Sequence, residues 1–241
     1  VFPLAAATAL AVPLYRARNE RNYFFVGLLV AMAVASGFVH LSELGVVHAP
    51  SWAGLRLGLD LVLFILAVMG GRVIPMFTNS GVRGAQARRH SWIEKSSLGL
   101  VLALIAADLA GLSGMPLAVL TALACAAHAM RLALWQPWRT LRVPIVWVLH
   151  AAYSWIPVHL ALRAFAELGA VSPSAATHAL TVGAIGGLVV GMMTRTARGH
   201  TARPLRADRF DVACYILVQA AALVRVVVPL FTPTLTMAAV Q

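Results

Sequence analysis

Residues 144–165, PIVWVLHAAYSWIPVHLALRAF, decide how the rest of the chain reads. The stretch has no acid and a single arginine, Arg163. A helix needs roughly 20 apolar residues to cross a bilayer, so it is long enough to span one. Yet it carries two histidines, His150 and His159. An ionisable side chain at bilayer depth is costly and marks function by default. Neutral imidazole is also the commonest protein ligand for metals. The same pairing of grease and imidazole recurs at His128 and His178, and His40 closes a further apolar run.

Working outward, apolar runs lie near 1–14, 23–41, 56–78, 97–112, 115–134, 174–194 and 210–231. With 144–165 they make about eight spans or part-spans. The expected fold is an all-α polytopic transmembrane helix bundle, a single domain over 1–241. Composition agrees: 61% of the 241 residues are hydrophobic and 11% charged, with mean hydropathy +0.84. A soluble chain averages about 25% charged residues. The formal net charge of +11 would suggest nucleic acid in a soluble protein. Here the arginines fall between apolar spans, so topology accounts for them and no nucleic-acid partner is expected. Val1 in place of Met, the short first run and the apolar tail Thr234–Gln241 read as an internal fragment of a longer multi-span protein.

The loops alternate in charge. Basic stretches lie at 15–22, 79–96, 135–143 and 195–209. Those at 42–55, 112–115 and 166–173 hold no Lys or Arg in their interior. The positive-inside rule then puts the basic loops in the cytoplasm and the others outside. This orientation gives every buried residue a depth. His40, His159 and His178 fall in an outer layer, and His128 and His150 in an inner one. His150 and His159 are nine residues apart, on opposite helix faces and ~13 Å apart along the axis. They cannot readily share one metal ion, so two sites are expected, or one site and a structural histidine.

Arginines follow the same layers. Arg163 shares a face with His159, and Arg225 is in the outer half of the last span. Guanidinium forks suit carboxylates, including haem propionates. Arg72, in the run GGRVIP, falls near the inner layer and needs a compensating partner there. His200 and Arg203 lie in the last basic loop, where they either fix topology or join an inner-side metal site. Each membrane histidine has a second reading as a hydrogen-bonding partner of a neighbouring helix. Cys125 and His128, three apart, are either a thiolate–imidazole pair or packing residues. Ala175, Ala179, Gly183, Gly187 and Gly191 recur every four residues. That ridge admits either a close helix or the edge of a flat cofactor. No phosphate loop, nucleophile elbow or metalloprotease helix is present, so no reaction is assigned.

Two segments carry a family resemblance. One is GGRVIPMFTN at 70–79. The other is HALTVGAIGG at 178–187, continued by MMTR at 192–195 and GHTARPL at 199–205. Together they resemble the NnrS family, bacterial inner-membrane proteins of the nitric-oxide response. The similarity matches the later part of a family member, after an early histidine-rich segment with a His-Glu pair. Ala202 stands where members often have Gly. The resemblance implies haem b and copper as cofactors, nitric oxide as small-molecule ligand and a multi-pass place in the inner membrane. On that reading His40, His159, His178, Arg163, Arg225 and Arg72 would hold cofactor, and His128, His150 and His200 metal. A b-type electron carrier exchanging electrons with quinone is a second reading. A proton-coupled transporter is a third.

Overall fold

The computed structural model describes residues 2–48 and 50–231. The apolar tail at Thr234–Gln241 lies outside them. Eight helices follow in order: α1 (Phe2–Arg16), α2 (Phe24–Glu43), α3 (Ser51–Gly81), α4 (Ser91–Leu109), α5 (Met115–Leu134), α6 (Pro144–Glu167), α7 (Pro173–His200) and α8 (Arg209–Phe231). No strand is formed among the described residues. The helical bundle expected from the apolar runs is present. Among the described residues six helical stretches are long and apolar enough to cross a membrane, and α1 and α4 are not among them. In a bilayer every backbone polar group must be satisfied internally, which a helix does within one segment.

Helices outrun the apolar windows at several ends. α3 begins at Ser51, α4 at Ser91, and α7 runs on to His200. Hydropathy marks where lipid ends, whereas a helix stops only where its backbone hydrogen bonds stop. The expected loop at 195–209 is therefore helical in its first six positions, and His200 is the last residue of α7.

The chain forms two compact units, divided between Ile65 and Leu66. In the first, α1 packs on α2, and Gly54 of α3 lies close to Val39 and the Ala35 carbonyl. In the second, α6 is central. It packs on α5 and α7, and α8 closes against α7. Its buried residues include Leu149, Ala152, Tyr153, Ile156 and Leu160.

α7 is not a uniform helix. Pro173–His178 is α-helical, Ala179–Gly186 forms π turns, and the α-helix resumes at Gly187. Its small-residue ridge lies directly on α6. A Cβ on Gly183 would run into the Trp155 indole, and one on Gly187 would stand 2.7 Å from Ala152 Cβ. Gly191 faces Val148 and Leu149. The ridge is thus filled by a neighbouring helix. The alternative of a flat cofactor edge is set aside, because Trp155 occupies that space and donates to Gln219 Oε1 of α8 at 2.7 Å.

Candidate functional site

At the basic end of the second unit, four helices bring buried polar groups together. Arg131, in the last turn of α5, is 1% exposed. Its guanidinium is spread across three elements. Nε and Nη2 donate to the two oxygens of Glu94 on α4 at 2.9 and 2.5 Å. Nη1 donates to the Ala67 carbonyl of α3 at 2.7 Å and to the Tyr153 phenol of α6 at 3.1 Å. Bidentate pairing of this kind is what makes burial of an arginine tolerable. Room for it comes from the Gly70-Gly71 step. A Cβ on Gly71 would collide with the Arg131 guanidinium, and one on Gly70 would stand 2.9 Å from the Tyr153 ring.

Hydrogen-bond directions settle the protons. Arg131 donates to the Tyr153 oxygen, so the phenol proton is left for His128 Nδ1, 2.7 Å away. His128 then carries its proton on Nε2, which faces the Ser97 backbone without a well-formed hydrogen bond. His150 is fixed differently. Thr78 Oγ1 donates to the Ile74 carbonyl at 2.8 Å, so it can only accept from His150 Nε2, also at 2.8 Å. The lone pair of His150 is therefore on Nδ1, which is buried and has no hydrogen-bond partner among the described residues. The Trp135 ring links the two histidines. It is 4.7 Å from the Tyr153 ring, edge-on to His150 at 6.5 Å, and has the Arg131 guanidinium over it at 5.3 Å.

The opposite end of α6 holds the second layer. Arg163 pairs with Asp108 at the end of α4, both nearly buried. Its carboxylate partner is thus supplied by the chain. His159 Nδ1 is 2.8 Å from the Ala176 carbonyl at the start of α7. A carbonyl only accepts, so Nδ1 carries the proton and Nε2 the lone pair. Glu167 accepts from the Gly114 N–H at 3.2 Å, which ties the α4–α5 turn to the end of α6.

The other expected site residues are more open. His178 and Arg72 are half-buried. His40, His200 and Arg225 are exposed. Cys125 does not pair with His128; its thiol donates to the Pro157 carbonyl at 3.2 Å. Glu94, Arg131, Tyr153, Trp135, Thr78 and Asp108 were not among the expected site residues. Two signals pointed to them. Arg131 is three residues after His128 and shares its helix face. Glu94 is the sole acid in the basic stretch 79–96.

The donor set discriminates between cofactors. A bare transition-metal ion asks a protein for three or four ligands. Among the described residues no three His, Cys, Asp or Glu side chains stand together to supply them. A haem brings its own four nitrogens and asks only for axial groups. A single buried imidazole whose tautomer is locked by a backbone carbonyl, as His159 is, fits that demand.

No curated protein and no solved structure matches the chain. The NnrS protein family matches residues 1–241. That match spans the whole chain, including the glycine step that admits Arg131, the threonine that orients His150 and the ridge that seats α7. The chain therefore belongs to the NnrS family and is a membrane protein of the nitric-oxide response.

Proposed function

We propose that the protein is a multi-pass haem b protein of the bacterial inner membrane, acting on nitric oxide as its small-molecule ligand. One observation carries this reading. Both histidines of α6 are buried, and each has one ring nitrogen engaged so that the lone pair is on the other. A neutral imidazole with its lone pair fixed on one nitrogen at bilayer depth is what ligation of a metal centre requires. Ferrous haem binds nitric oxide readily, and that is the chemistry the group would supply when bound. His159 would be the residue best prepared to hold the haem iron. The Ala176 carbonyl holds its ring and raises the basicity of Nε2. His150 offers Nδ1 in the other layer. The helical rise puts these nitrogens' helix positions ~13 Å apart, so each would serve its own centre. For copper, which the family resemblance also implies, the described residues offer no ligand cluster.

The test is the visible spectrum and metal content of the purified chain. Wild type should show a Soret band that shifts when nitric oxide is added to the reduced protein. His159→Ala should lower haem occupancy while the protein stays monodisperse. Full haem content and an unshifted spectrum in both His159→Ala and His150→Ala would remove α6 as the source of axial ligands.

A further inference from the structure

Two loops at the basic end are joined into one piece. Asn79, near the end of α3, grips Ala87 from both sides. Its Nδ2 donates to the Ala87 carbonyl at 3.0 Å, and the Ala87 N–H donates to Oδ1 at 2.7 Å. Residues 84–88 are then tied three times to the last residue of α5 and the segment after it. The Arg88 N–H donates to the Leu134 carbonyl at 3.0 Å. The Gln86 N–H donates to Gln136 Oε1 at 3.1 Å. Arg139 Nη1 donates to the Gly84 carbonyl at 3.1 Å. Below them Val82 packs on Ile145 and Val146 of α6. Gln136 is held at φ 57°, a left-handed conformation that a non-glycine residue keeps only when its surroundings insist.

A loop that only sets topology needs charge and no fixed shape. This one has both. Arg83, Arg88 and Arg142 are exposed on it, and Arg83 and Arg142 have no partner among the described residues. The nearby acid, Glu94, is already taken by Arg131 and Arg89. Two large indoles flank the platform: Trp92 is 74% exposed and Trp138 59% exposed. Exposed tryptophan belongs at the membrane–water boundary, at the depth of lipid headgroups. The guanidiniums therefore stand where phosphodiesters are. A guanidinium fork matches a phosphate with two parallel hydrogen bonds.

We propose that this pinned platform is a binding surface for anionic phospholipid headgroups, with Arg83, Arg88 and Arg142 on the phosphate and Trp92 and Trp138 at the glycerol level. Soluble phosphate would gain nothing from the indoles, which is why a lipid is the favoured partner. The inference needs only that this end meets a bilayer and is independent of haem.

The experiment uses the full chain purified in detergent, with phosphatidylglycerol or phosphatidylcholine added. Bound lipid and the thermal midpoint are read. Phosphatidylglycerol should be retained in preference to phosphatidylcholine and should raise the midpoint. Arg83→Gln and Arg142→Gln should each weaken that preference roughly fivefold, the effect of about 1 kcal/mol per guanidinium. Asn79→Ala keeps every charge but releases the loop, and should weaken the preference too. Gln136→Asn provides the same test if Asn79→Ala does not fold. Asparagine tolerates the left-handed backbone but is one methylene too short to reach Gln86. Loss in the arginine variants with full preference in the charge-matched ones would mean diffuse charge and overturn the platform. Equal retention of the two lipids, or equal protection by inorganic phosphate, would overturn the lipid assignment.

Discussion

At the scale of single residues, the Arg131 guanidinium explains the most. Its contacts with Glu94, Tyr153 and Ala67 tie α5 to α4, α6 and α3. Removing one partner of a buried pair typically costs about 3–5 kcal/mol, because the other charge is left without compensation. Arg131→Leu should lower the thermal midpoint accordingly. Gly71→Ala should do the same, since its methyl would occupy the guanidinium's space. The two effects should not add. With leucine already at 131, alanine at 71 should cost under about 1 kcal/mol, and thermal unfolding of the four proteins gives the coupling directly. Additive losses would mean that Gly71 is needed for something besides Arg131. Little of this was legible beforehand. Arg131 reads as one more positive charge at the end of a span, and only the fold shows that its charge is spent inside.

Elements raise three further expectations. The α6–α7 contact depends on missing side chains, so Gly183→Ala should cost about 1–3 kcal/mol by overpacking against Trp155. Gly99, in α4, meets nothing within 4 Å. Gly99→Ala should stabilise by up to about 1 kcal/mol, as alanine is the better helix former. Unfolding of both variants under one condition separates packing from propensity. The start of α8 responds to acid. The Asp208 carboxylate accepts from the backbone N–H of Asp211 at 3.0 Å and of Phe210 at 2.9 Å, and from Arg198 at 2.6 Å. These donors, the Asp211 N–H first, hold its pKa below the usual 3.8. A depressed carboxyl stabilises the fold above its unfolded value and loses that contribution as pH falls through the folded one. Wild type should therefore lose stability relative to Asp208→Asn as pH drops below about 4. A constant difference between the two proteins from pH 7 to pH 3 would contradict it.

For the whole molecule, orientation is the quantity to measure. Arg88 and Arg203 are expected on the cytoplasmic side and Glu167 and His48 on the periplasmic side. Cysteines at these positions, labelled with an impermeant thiol reagent on intact cells, should react only at 167 and 48. Labelling at 88 or 203 would invert the two layers. The fold supports a layered reading within the second unit. His128, His150, Arg131 and Glu94 gather at the end of α6 near Pro144, and Asp108, Arg163 and His159 toward the end near Glu167.

Sequence alone determined the helical class, the apolar runs and the two levels of α6. Each depends on quantities that add along the chain: hydropathy over a bilayer's thickness, charge per loop and 1.5 Å of rise per residue. The run GGRVIPMFTN could be singled out but not explained, since its residues act through partners far away in sequence. Gly71 makes room for Arg131, Thr78 sets the tautomer of His150, and Asn79 pins the loop at Ala87. Likewise a histidine in an apolar span has two nitrogens, and sequence cannot say which one carries the proton. Only the tertiary structure decided that, because the answer lies in a donor or acceptor brought within about 3 Å by another helix.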